Sequence, residues 1–126
     1  MPAYSNTFSP TAIDAGDTAN VWATADGNLT SGTKTQRVAL TQRSDGGATK
    51  LAWRVVFGGN PGAISLQLQT SDFDNDADYQ SEGAAVTTLG NNNEVRAEFT
   101  LIAARFARLL AGTVTTPQTA SVDFAA

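Results

Sequence analysis

Leu51-Ala52-Trp53-Arg54-Val55-Val56-Phe57 and, a little further on, Ile64-Ser65-Leu66-Gln67-Leu68-Gln69-Thr70 are the two stretches that decide the fold. In the first, Leu51, Trp53, Val55 and Phe57 recur at every second position. In the second, Ile64, Leu66 and Leu68 alternate with Ser65, Gln67 and Gln69. Successive side chains of an extended strand point to opposite faces, so a period of two marks a half-buried strand. A helix would need apolar repeats near 3.6. Between the two runs, Gly58-Gly59-Asn60-Pro61-Gly62 gathers the residues that end regular structure. The simplest arrangement pairs the runs as an antiparallel hairpin, with Trp53 in the core beside Leu51, Val55 and Phe57.

The same period extends outward in both directions. Toward the N-terminus, Val38 and Leu40 share a face opposite Arg37, Ala39 and Thr41, and Ser44-Asp45-Gly46-Gly47 reads as a turn. From Met1 to about Gly32 the chain is turn-rich, with apolar hints only at Ala12 to Asp14 and at Val21-Trp22. Toward the C-terminus, Ala84 to Leu89 reads as a short strand and Gly90-Asn91-Asn92-Asn93 as a turn. Val95, Ala97, Phe99 and Leu101 then alternate, as do Phe106, Arg108 and Leu110. Val122 and Phe124 share one face of a terminal strand. Leu101 to Ala111 also fits helical spacing through Ile102, Phe106 and Leu109, but Gly112-Thr113-Val114-Thr115-Thr116 continues in β fashion and favours strand. About seven or eight short strands separated by Gly- and Asn-rich turns predict an all-β fold, an antiparallel β-sandwich or jelly roll. Residues 1–20 are expected to form an extended N-terminal arm, and residues 21–126 a single domain.

Composition narrows the function. A chain of 126 residues suits one core. Charged residues are 16% of it, against about a quarter in ordinary soluble domains, and Thr, Ser, Asn and Gln supply the polarity. The net charge is −4 and the eight Lys and Arg are scattered. Displacing counterions from phosphates needs clustered cations, so neither nucleic acid nor an anionic membrane surface is an expected partner. No apolar run approaches the roughly 20 residues that span a bilayer. The first residues lack a basic start and apolar segment, so no signal peptide is expected, and the chain is read as made in the cytoplasm. Histidine and cysteine are both absent, which removes the usual base near neutral pH, the thiol nucleophile and any disulfide. No nucleophile elbow, phosphate loop or dinucleotide fingerprint is present. The chain is read as a binding or building protein, not an enzyme, with no catalytic or cofactor-binding residues.

One run carries potential chemistry. In Asp72-Phe73-Asp74-Asn75-Asp76-Ala77-Asp78, the carboxylates of Asp72, Asp74, Asp76 and Asp78 alternate along a loop, as they do where a loop wraps calcium in six to eight oxygens. The EF-hand pattern requires Gly at its sixth place and Glu at its twelfth, and here those places hold Ala77 and Gly83. A solvated acidic turn is therefore preferred over a cation site. Trp22 and Trp53 offer a sugar-stacking platform as the alternative to core packing. Tyr4, Phe8 and Tyr79 lie in polar surroundings and are expected to be exposed, with Tyr4 and Phe8 as anchors for a neighbouring subunit. Arg105 and Arg108 would point to opposite faces of a strand and form no joint anion clamp.

From Ala63, the segment Ala63-Ile64-Ser65-Leu66-Gln67-Leu68-Gln69-Thr70-Ser71 leads into an acidic turn with an aromatic. A short strand, an Asn-rich turn and Ala104-Arg105-Phe106-Ala107-Arg108-Leu109 follow. This order, from Ala63 to about Val114, resembles the discoidin-like and jelly-roll modules of bacteriophage virion proteins. The resemblance implies a β-sandwich and a structural role in the virion. It points first to a capsid decoration (cement) protein on the major capsid protein, commonly trimeric. A tail or neck component, or a receptor-contacting carbohydrate-binding module, is the alternative. In sugar-binding relatives of that group, Phe73, Tyr79 and the Asp run would map to the binding loop.

Overall fold

A computed structural model describes residues 10–41 and 48–126. Among these residues, eleven strands form two sheets: β1 Thr11–Ile13, β2 Thr18–Trp22, β3 Asn28–Leu29, β4 Thr33–Lys34, β5 Val38–Leu40, β6 Thr49–Phe57, β7 Ile64–Ser71, β8 Gln80–Ser81, β9 Glu94–Ile102, β10 Phe106–Val114 and β11 Gln118–Ala125. The first sheet runs β1-β5-β10-β7-β8, with β4 also pairing β10. The second runs β2-β11-β6-β9, with β3 also on β11. All pairs are antiparallel except β1 with β5. The helical segments are three single 3₁₀ turns. The fold is an all-β sandwich.

The count is eleven, not seven or eight. The difference lies in β1, β3, β4 and β8, each two or three residues long. So short a strand has no alternation to reveal it. Ala84 to Leu89, expected as a strand, contributes one isolated bridge, Leu66 to Val86.

The expected β6–β7 hairpin does not form. β6 pairs with β11 and β9, and β7 with β10 and β8. The long strands β6, β7, β9, β10 and β11 alternate between the sheets, so each connection arches over the core. The loop after β6 is built for that crossing. Gly58 donates its N–H to Thr119 O at 2.7 Å, and Thr116 N–H donates to Pro61 O at 2.8 Å. A Cβ on Gly58 would lie 2.4 Å from Thr119 Oγ1. Glycine lets the start of this loop lie close against the beginning of β11.

Between the sheets lies a single apolar layer. Leu51, Trp53, Val55 and Phe57 meet Leu66, Leu109 and Val38 across it, each at most 5% exposed. Ala120, Val122 and Phe124 of β11 are fully buried. Trp22 is buried too, its indole N–H 3.4 Å from Gly27 O. Neither tryptophan is a surface platform.

Two faces differ from the alternation read in the sequence. In β10 the inward residues are Ala107, Leu109 and Ala111, so Phe106, Arg108 and Leu110 face away from the core. Both faces of that strand carry apolar residues, and period alone could not choose between them. In β9, Val95 is buried and Ala97 half-buried, but Phe99 and Leu101 are 59% and 64% exposed while Ile102 is buried. The register against β6 shifts between Leu51 and Trp53, whose partners are Thr100 and Ala97. This β-bulge puts Glu98 and Phe99 opposite Ala52 and reverses the alternation beyond it.

The boundary expected near residue 20 also moves. Thr11–Ile13 pairs with β5, and Thr18–Trp22 with β11, so residues 11–22 belong to the sandwich. Gly16 N–H donates to Ala126 O, and Ala126 N–H to Asp17 O, each at 2.8 Å. Tyr4, Phe8 and the Ser44–Gly47 turn lie outside the described residues.

Candidate functional site

Two surface features stand apart from ordinary sandwich packing. The first is the loop after β7, which holds the acidic run. On the outer face of the first sheet, Arg37, just before β5, and Arg108, on β10, lie side by side, since Val38 is opposite Ala107. Both arginines are only 2% exposed. A guanidinium so deeply covered requires anionic or polar partners, because losing its water is otherwise costly.

The loop supplies them. Arg37 Nε donates to Asp74 Oδ1, and Arg108 Nη1 donates to Asp76 Oδ1. Lys34 Nζ reaches Asp76 Oδ1 at 3.1 Å, and Arg108 Nε reaches Gln69 Oε1 at 2.8 Å. Tyr79, expected at the surface, is buried: its ring lies 4.1 Å below the Arg108 guanidinium, and its hydroxyl donates to Asp74 Oδ1 at 3.2 Å. A cation over an aromatic face adds attraction once water is excluded. The loop is braced internally as well. Ser71 Oγ donates to Phe73 O at 2.7 Å and accepts from Phe73 N–H at 3.0 Å.

The four carboxylates therefore divide. Asp74 and Asp76 face the sheet and its cations, while Asp72 and Asp78 are exposed. The Arg108 hydrogen bond holds the Asp76 carboxyl below the ordinary aspartate value, with Lys34 adding to it and burial working the other way. Among the described residues, no three His, Cys, Asp or Glu side chains are placed together to hold a metal ion. Asp74 and Asp76 are countered by protein cations, and this arrangement works against a calcium ion at the same oxygens. Arg105 is exposed in the bend before β10, and Arg108 is covered on β10, so the two form no joint anion clamp. Arg37, in the sequence merely one residue on the outward face of a strand, pairs with the loop beside Arg108. Only the strand register brings it there. Phe73 is left 70% exposed on the loop.

The second feature is the β9 edge. Sheets expose unpaired backbone groups at their edges, and proteins commonly blunt them with short strands. Among the described residues, three of the four edges follow that rule: β1 has three residues, β8 two and β2 five. The fourth, β9, has nine. Its outer face carries Phe99 and Leu101, which with Phe73 are the large apolar side chains exposed among the described residues.

Beside it, on the outer face of the second sheet, is an open depression of about 620 Å³. Ala52 and Ala125 form its floor, and Phe99, Arg96 and the Arg54–Asp123 ion pair, 3.2 Å apart, form its rim. Arg96 also pairs with Glu94 along the strand.

Among the described residues, no helix is long and apolar enough to cross a membrane. No family model, no curated protein and no solved structure matches this chain.

Proposed function

We propose that the chain is a structural subunit of a bacteriophage particle, a decoration protein that binds the head lattice and stabilises it by protein–protein contacts. The observation that carries the reading is the β9 edge. A nine-residue edge strand bearing exposed Phe99 and Leu101 is a ready template for another protein, and a hazard for a chain that works alone. The low charge content fits surfaces that meet protein. The acidic loop serves the fold in this reading, since its inward carboxylates are spent on Arg37 and Arg108.

Preformed heads of the phage that encodes the chain provide the test. The purified protein co-sediments with them at a fixed stoichiometry, and decorated heads release DNA at a higher temperature than bare ones. Phe99→Lys abolishes binding without unfolding the protein. Binding to isolated tails instead of heads would move the subunit to tail or neck, and binding to neither would end the virion reading.

Phe73 favours one other reading. An apolar ring held out by a braced loop is what a glycan-contacting module uses. A glycan array in which Phe73→Ala removes a specific signal would support it.

A further inference from the structure

We propose that the outer face of the second sheet binds a neutral saccharide chain, seated in the depression between Arg54 and Phe99. The site goes beyond head binding, and it is separate from the Phe73 loop, which belongs to the first sheet.

Strand register builds the depression in rows. Asn20, Asp123, Arg54 and Arg96 lie side by side across β2, β11, β6 and β9, and the next row along the strands is Thr18, Ala125 and Ala52. The first row is a polar wall and the second a floor of small side chains. The protein itself fixes the wall. Asn20 Nδ2 donates to Asp123 Oδ1 at 2.9 Å, and Arg54 Nη2 donates to Asp123 Oδ2 at 3.2 Å. Arg54 and Arg96 stand directly opposite each other, 52% and 71% exposed. Like charges so placed weaken a strand pair, and departures of that kind gather where a surface binds something. Beyond the floor, the bulge sets Phe99 on the same face.

The lining selects the ligand. Its charged members are Arg54 and Arg96 against Asp123 and Glu98, two positive and two negative, so it favours no ion of either sign. It still offers guanidinium donors beside the exposed Glu98 carboxylate, and sugar hydroxyls need both donors and acceptors. Phe99 adds an aromatic face, whose negative π cloud attracts the polarised C–H bonds of a sugar ring. A peptide gains less here. Its chief attraction to a sheet is the backbone ladder at a free edge, but the floor lies largely on β6 and β11, which are paired on both sides. Phe99 also borders a second hollow of about 340 Å³, beside Lys50 and Thr41. One aromatic ring between two hollows suits a chain of sugar units crossing the sheet, longer than a monosaccharide.

Affinity electrophoresis tests the site in native gels cast with dextran, mannan or laminarin, with circular dichroism confirming that each variant keeps its strand spectrum. At least one of the three polymers retards the wild type. Raising salt from about 50 mM to about 500 mM leaves the retardation unchanged, because screening acts on charge and the ligand has none. Ala52→Leu fills the floor without altering charge and abolishes retardation. Arg54→Gln and Phe99→Ala each weaken it by about fivefold, and Phe73→Ala leaves it unchanged. No retardation in any of the three gels would overturn the site, as would stronger retardation by alginate, an acidic polysaccharide, or by polyglutamate. Retardation lost in Phe73→Ala but kept in Ala52→Leu would place the sugar on the loop and overturn it equally. Head sedimentation needs no sugar, so failure of this site leaves the head reading in place.

Discussion

The four aspartates of the loop after β7 are alike in the sequence and unlike in the structure, and single Asp→Asn changes separate them. Asn keeps the size of Asp and one acceptor oxygen, so the perturbation is chiefly loss of charge. Asp74 is 24% exposed and faces Arg37, which is 2% exposed. A hydrogen bond to a charged group contributes about 1.5–3 kcal/mol, and a guanidinium so covered puts Asp74→Asn at about 2–3 kcal/mol. Asp76 touches the equally covered Arg108 but is itself 45% exposed, so solvent screens part of the pair. Its change costs about 1.5–2 kcal/mol, a fall in Tm of about 5–10 °C for a domain of this size. Asp72→Asn and Asp78→Asn, both at exposed positions, leave Tm within about 2 °C. Thermal unfolding followed by circular dichroism, in EDTA and in about 1 mM calcium, reads all four. The expected result is two costly and two silent changes, with Tm indifferent to calcium. Four equal effects, or a Tm raised several degrees by calcium, would refute the pairing and return the run to the role of a cation loop.

Three further outcomes follow from the geometry. Phe99→Ser and Leu101→Ser, at exposed positions, leave folding stability within about 0.5 kcal/mol but reduce self-association and raise solubility, measured by light scattering. Gly90→Ala costs more than about 1 kcal/mol in a urea titration, because its Cβ would sit 2.7 Å from Glu94 O, a backbone atom that cannot swing aside; Gly112→Ala, whose nearest contact is Ser65 O at 3.5 Å, is tolerated. Because the folded state lowers the Asp76 carboxyl value, its stabilisation is complete above the ordinary aspartate value of about 3.9 and is lost as pH falls through the lowered one. The stabilities of wild type and Asp76→Asn therefore converge as acid titration passes below the ordinary aspartate range, and parallel curves would contradict the Arg108–Asp76 pairing.

Much of the architecture is legible in local pattern, and the limits of that legibility are physical. Alternation states which residues share a face, so Leu51, Trp53, Val55 and Phe57 emerge as core, as do Val122 and Phe124. It says nothing about which strand lies alongside. For that reason β6 and β7 suggest a hairpin although they sit in opposite sheets. One inserted residue at the β9 bulge defeats alternation beyond Ala97, and the exposed Phe99 and Leu101 therefore read as core. The acidic run is visible as a motif, but its partners Arg37 and Arg108 lie more than thirty positions away on either side. Register alone brings them under the loop. Tyr79 follows them inward because its ring is the floor for Arg108.

The place of β11 has a consequence for how the chain is made. Residues 118–125 form an inner strand of the second sheet, between β2 and β6, and Asn20 meets Ser121 across 101 residues of sequence. Until those residues leave the ribosome, β2 has no partner in its sheet, and Trp22 and Trp53 have no completed layer to enter. Closure of the sandwich is a late event governed by distant contacts, which are slow to find. A nascent chain carrying open strand edges through that interval is a natural client for cellular chaperones.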